Sequence, residues 1–275
     1  HSAAALAQSL ADRRRAGAGT FDLNLHVTCG SMRTVELGGL NGRWLSTPLG
    51  TAFSDLRLVA GTKAPNTVIL SEKAAAYCGA AGQTDAVPGT AARRLVKSPA
   101  PPSARPTPLP IPQPAAWGAI LARTPRFVGR WIERVGLEWI ADLRPVTVLT
   151  VGLHPFEATQ TDLAVPLNAV VQTVQDIVHG RDGSVDAAIV DEKGASVLAF
   201  FGTPPDAHSD DPLRGVLCAT EILERLGQMG IEATIGVTTG RAFCGIVGSA
   251  DRRTFLVLGD AITLSSRLAW SVGSG

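Results

Sequence analysis

Apolar and polar positions alternate along Phe21–Thr28, the two-residue period of a strand with one buried face. Met32–Leu37 and Arg43–Thr47 carry the same signal on either side of Gly38–Gly42, which predicts a hairpin. Over Thr51–Val59 the spacing becomes helical. Thr67–Leu70 reads as a short apolar strand, and Ser71 followed by Glu72 starts another helix with Ser71 as N-cap. Residues 3–15 suggest a short amphipathic helix whose Arg13, Arg14 and Arg15 suit the negative end of a helix dipole.

The pattern breaks at 98–116, SPAPPSARPTPLPIPQPAA, an expected extended linker of polyproline character. Helical spacing returns over 116–142, with Trp117, Ile120, Leu121, Phe127, Trp131, Ile132, Val135 and Trp139 as candidate buried positions. Pro145–Leu153 is almost continuously apolar, the mark of a strand buried on both faces. A helix over Leu163–Val178 follows, interrupted early by Pro166. Next come a hairpin of Asp186–Val190 and Ala195–Phe201 around Asp191–Gly194, and a helix capped by Asp211, with Pro212 in its first turn, running to about Gly227. Residues 231–268 read as strand, tight turn, strand, charged hairpin tip, strand, a Leu-Gly-Asp turn and a helix.

Composition narrows the function classes. A 45% hydrophobic content over 275 residues supports one large or two ordinary cores. A net charge of +1 and 5% aromatics give neither the field nor the stacking platform of a nucleic-acid binder. Cys29, Cys78, Cys218 and Cys244 lie far apart and never form C-x-x-C, so they read as reduced thiols in a reducing compartment. No apolar run approaches the roughly 18 residues of a membrane span. The chain opens on His1 without Met and reads as a fragment of a longer protein.

The chain also repeats itself. Val27, Thr28, Gly30, Gly38 and Arg43 match Val237, Thr238, Gly240, Gly248 and Arg253 at one constant offset. After a one-residue slip, Leu49, Gly50 and Ala52 match Leu258, Gly259 and Ala261. Two copies so far apart imply a duplicated domain rather than a solenoid.

RPVTVLTVG, DEKGASVLAFFG, IGVTTGRAFCGIVG and LVLGDAITLSSRL resemble the successive blocks of a class III nucleotide cyclase domain. GGLNGRW, PLGTAFSDLRL, the Pro-rich linker and LRPVTVL in that order resemble its tandem soluble adenylyl-cyclase-like subfamily. The resemblance implies an α+β fold, with two incomplete ferredoxin-like cyclase homology domains. Residues 1–97 would be the end of the first, 98–143 a linker and helix, and 144–275 most of the second. It further implies a cytoplasmic enzyme that cyclises ATP at the interface of the paired copies, with Mg or Mn as cofactor and bicarbonate as a possible regulator.

That chemistry needs groups that this segment keeps only in part. Where the family places its two metal-binding Asp residues, the second copy has Gly152 and Ala195, so no metal is expected on its own residues; Asp186, Asp191 and Glu192 are nearby in sequence. The metal carboxylates would come from the first copy, upstream of His1, so the fragment alone is expected to be inactive. Arg267 matches the family arginine that stabilises charge on the transferring phosphate, or is a surface arginine. Thr263 replaces the ribose-orienting Asn, Leu256 stands at the purine-reading position, and Gly259 lies in the nucleotide-side turn. Lys193 is either a nucleotide-contacting lysine or a solvated turn residue. Arg57 resembles the anion-binding arginine of the regulatory pocket, or is an exposed helix charge. The substitutions leave a second reading, a catalytically degenerate module used for regulation or dimerisation.

Overall fold

The computed structural model describes residues 12, 23–62, 64–79, 82–97, 113–135, 141–154, 156, 163–191, 193–248 and 253–271. The side chains of Ser54, Arg57, Arg253 and residues 131–135 are outside the description, as are Trp139, Glu192, nearly all of the expected 3–15 helix and residues 98–112 of the linker. The chain divides into two compact units, residues 1–33 with 49–111, and residues 34–48 with 112–275.

In the first unit, β1 (Asn24–Val27) pairs in parallel with β4 (Thr67–Leu70). β4 pairs antiparallel with β6 (Arg93–Lys97), and β6 with β5 (Gln83–Ala86), giving the order β1-β4-β6-β5. The apolar run of β4 is explained by burial on both faces. Ile69 packs with Val59 of α1 (Thr51–Ala60), while Val68 and Leu70 pack with Ala74 of α2 (Glu72–Cys78). Ser71 caps α2 as expected, its hydroxyl accepting from the Ala74 N–H at 3.2 Å.

β2 (Met32–Gly38) and β3 (Trp44–Gly50) form the expected hairpin around a turn in which Gly38, Gly39 and Gly42 have positive φ. Residues 34–48 group with the second unit, and polar side chains of α5 (Ala164–His179) hold their backbone. Asn168 Oδ1 accepts from the Gly38 N–H at 2.8 Å, Gln172 Nε2 donates to Gly38 O at 2.9 Å, and Gln175 Nε2 donates to Arg43 O at 3.1 Å. From β3, Thr47 Oγ1 donates to Ala188 O at 2.9 Å.

The second unit is built on a five-stranded antiparallel sheet in the order β11-β10-β7-β9-β8. Its strands are β7 (Ala141–His154), β8 (Ser184–Asp191), β9 (Gly194–Phe201), β10 (Glu232–Gly248) and β11 (Arg253–Leu258). Alternate residues of β7 face opposite layers. Thr147 points toward Gly215 of α6 (Asp211–Gln228), whereas the Thr150 hydroxyl bonds Ser265 of α7 (Asp260–Ser271) at 2.7 Å. Val146 and Val148 share the α7 face with Ala242, Cys244, Phe200, Ala261 and Phe127.

Three sequence expectations change. Residues 232–248 are one continuous strand with no turn at Gly240. Its glycines serve close packing instead: a Cβ on Gly236 would collide with Ser265 O, and one on Gly240 would lie 3.2 Å from the Ala261 Cβ. The 116–142 region is two helices, α3 (Trp117–Ala122) and α4 (Arg126–Val135), followed by the start of β7. Phe127 is buried, but Trp117 and Ile120 are exposed: among the described residues α3 belongs to no buried hydrophobic cluster. Asp211 is the first residue of α6 rather than its N-cap; Asp210 takes that place, and Asp211 Oδ2 accepts from the His208 N–H at 2.8 Å.

The two stretches that match in sequence also make matching contacts. Thr28 Oγ1 donates to Ala52 O at 2.9 Å, and Thr238 Oγ1 donates to Ala261 O at 2.7 Å. Gly50 lies against Ser31 O and the Met32 Cα, just as Gly259 lies against Arg241 O and the Ala242 Cα. In both stretches a threonine ties strand to helix, and a glycine opens the turn that starts the helix.

Candidate functional site

Thr263 and Arg267 are four residues apart on α7 and therefore share one face of the helix. Both are exposed, and among the described residues neither side chain is engaged in a hydrogen bond or ion pair with another residue at its polar head. Leu264 and Leu268, 50% and 42% exposed, lie beside them, so the outward face of α7 combines a free guanidinium and hydroxyl with apolar surface. The inward face, through Ala261, Ser265 and Ala269, is sealed on the sheet by the glycines of β10 and by the Thr150 and Thr238 hydroxyls.

Leu256, half-buried on β11, pairs with Gly245 of β10 and offers no hydrogen-bonding group at its tip. Gly259 forms the β11–α7 turn, where a Cβ would come within 2.8 Å of Arg241 O. Lys193 is exposed in the β8–β9 turn, which is closed by its own N–H donating to Asp191 Oδ1 at 2.8 Å. That turn packs near α7: a Cβ on Gly194 would lie 3.1 Å from Trp270 Cη2. The backbone of Arg57 lies in α1, while its neighbour Leu58, the counterpart of Arg267, is 70% exposed.

Gly152 and Ala195 do not fit a divalent ion. They sit on adjacent strands, Gly152 opposite Ser196 and Ala195 opposite Leu153. A Cβ on Gly152 would lie 3.2 Å from Thr234 Oγ1 and 3.7 Å from the Ala269 Cβ, and Ala195 is fully buried. The end of α7 closes this corner: Thr234 Oγ1 donates to Ala269 O, and Trp270 meets the His154 ring edge-on at 5.0 Å between centroids. Asp191 is used by the turn. Asp186 occupies a bulge in β8 at the level of Ala199 and Leu198, away from Gly152, and burial pushes its carboxyl up to about 6. Among the described residues no group of three or more His, Cys, Asp or Glu side chains could hold a metal ion.

The α5 stripe that seats the hairpin and an arginine-lined cavity at the end of α5 were missed in the sequence. Asn168, Gln172 and Gln175 recur at helical spacing, a signal that a polar face has backbone to satisfy.

No protein-family model matches the chain. Human adenylate cyclase type 10 is 30% identical over 136 residues, which cover 47% of this chain and 8% of the relative. The rat protein of the same name is 27% identical over 133 residues, with the same coverage. The chain thus spans only about a twelfth of the curated relatives it matches. Among solved structures, the adenylyl cyclase CyaB from P. aeruginosa has a TM-score of 0.42 at 22% identity, covering 49% of this chain and 74% of that one. The sequence likeness and the motif blocks support a class III nucleotide cyclase. Within that class, the curated relatives named are adenylate cyclases of type 10.

Proposed function

We propose that the second unit is the phosphate- and ribose-binding wall of an adenylyl cyclase site whose metal carboxylates come from a partner cyclase domain. The observation that carries this reading is the outward face of α7, where Arg267 and Thr263 make no hydrogen bond or ion pair among the described residues while the opposite face of the helix is fastened to the sheet. Arg267 would stabilise charge on the transferring phosphate, its fork of donors being fixed and permanently charged. Thr263 would orient the ribose, Gly259 would let the nucleotide approach the turn, and Lys193 would assist the phosphates from the neighbouring turn. Leu256 would pack on the purine without reading its edge. A divalent ion, Mg or Mn, would supply Lewis acidity and nucleophile activation from the partner's side.

The test is cyclic AMP formation from ATP after mixing this chain with a cyclase domain bearing both metal aspartates. Arg267→Ala is expected to lower kcat about 100-fold, by analogy with removal of one oxyanion-hole donor, with little change in thermal midpoint. Equal turnover by the variant would reject the assignment. The filled corner at Gly152 and Ala195 favours a second reading, a binding or pairing module without turnover. Saturable ATP binding without cyclic AMP, under the same mixing, would support it.

A further inference from the structure

A cavity of about 340 Å³ opens at the C-terminal end of α5, lined by Asn41, Arg43, Arg126, Arg130, Asp176 and His179, among others. All belong to the second unit, and none lies on α7, β10 or β11. Three guanidiniums and one carboxylate, Asp176, line the cavity, with Asp182 and Asp206 near enough to act on Arg126. Arg130 is paired with Asp206 at 2.7 Å, and Asp176 with the outer Arg225 at 3.0 Å. Arg43 and Arg126 have no carboxylate partner among the described residues. Each donates to backbone: Arg43 Nη1 to Leu121 O at 2.8 Å, and Arg126 Nη1 to His179 O at 3.1 Å. Gly129 makes room for Arg43, whose Nη1 and Nη2 would be 3.2 and 3.3 Å from a Cβ at that position.

His179 adds a ring nitrogen without a hydrogen-bond partner among the described residues, a donor in the Nδ1–H tautomer. Its Nδ1 is buried and makes no hydrogen bond. Burial, and then Arg126 and Arg43, pull its pKa down to about 4, so the ring is neutral at neutral pH. Burial and the charge of Arg130 likewise lower the pKa of Arg126. Cations gathered around a buried, unsatisfied ring nitrogen repel one another, and an anion in the cavity would relieve that repulsion while bonding the nitrogen.

We propose that this cavity binds a compact oxyanion of the phosphate type, held by Arg43, Arg126 and the His179 ring. The site is separate from the proposed nucleotide wall and does not depend on it. The anion joins the turn of the β2–β3 hairpin, α4 and the end of α5, so its binding stabilises the seating of the hairpin.

The experiment follows the five histidine rings of the full 275-residue chain by NMR, with His179→Gln assigning the signal. Inorganic phosphate is titrated against sodium chloride of equal ionic strength. Phosphate is expected to shift the His179 resonance saturably and to raise its apparent pKa by about one unit or more, since a nearby anion favours the charged ring. Arg43→Gln, which keeps a donor for Leu121 O, is expected to weaken binding at least 10-fold. AMP forms a second arm. Tighter binding of AMP identifies a nucleotide's phosphoryl group as the ligand, and equal or weaker binding identifies the free anion; either supports the site. A shift no larger than chloride produces, or an undiminished shift in folded Arg43→Gln, would overturn the proposal. The wild-type titration decides the matter even if the variant fails to fold.

Discussion

A carboxylate introduced at position 195 would have no water around it, because Ala195 is fully buried in β9 opposite Leu153. Burying an unpaired charge is costly, and the group would protonate rather than bind metal. Ala195→Asp is therefore expected to lower stability by about 2–4 kcal/mol, with no recovery on adding Mn²⁺. Thermal melts with and without the ion check this; a Mn²⁺-dependent rise in Tm would show that the corner can still reopen. That Gly152 and Ala195 carry no metal-binding group was legible in the sequence. That Thr234, Ala269 and Trp270 close the space was not, because those side chains come from distant strands and the far end of α7. That Thr263 and Arg267 share one helix face was also legible, since a four-residue helical spacing is local. Their exposure depended on which face of α7 the glycines of β10 accept.

At the scale of elements, α7 and the hairpin depend on different devices. Gly236 lets the α7 backbone lie directly on β10, and any Cβ there meets Ser265 O. Gly236→Ala should cost about 1–3 kcal/mol through overpacking and displace the Arg267 face. Urea unfolding would measure the first effect, and ATP binding the second. The hairpin instead rests on polar bonds. Asn168→Ala leaves the Gly38 N–H without its acceptor and should cost about 1–3 kcal/mol. Hydrogen exchange at Gly38 should rise in the same variant, and unchanged protection would mean that Gln172 and the packing suffice. The strands of the second unit were read from the sequence to within a few residues, because alternation and apolar runs reflect local burial. The missed continuity of β10 has a long-range cause: β7 pairs with it from His154 to Ala141, and Gly240, read as a turn, is a contact with Ala261.

For the whole molecule, two titrating groups oppose each other in mild acid. His179, depressed to about 4, contributes stability that is complete above its unfolded value near 6.5 and is lost as pH falls toward 4. Asp186, raised to about 6, contributes stability that is present below its unfolded value and is lost as pH rises through 6. Asp186→Asn should thus gain about 1–2 kcal/mol above pH 7, discounted for partial exposure, and little at pH 4. In that variant stability should climb with pH from 4 to 6.5, the slope of His179 alone; denaturant midpoints across this range give the answer, and a flat profile would contradict the assignment. The α+β class and the cyclase likeness were determined by the sequence itself, because periodicity and motif residues are local properties of the chain. Only the tertiary structure decided that the hairpin 34–48 groups with the second unit, that the end of α7 closes the corner at Gly152 and Ala195, and that Arg43, Arg126 and His179 meet around one cavity. Those outcomes join residues far apart in the chain, and they depend on which buried polar groups find partners and how closely a helix can approach a strand.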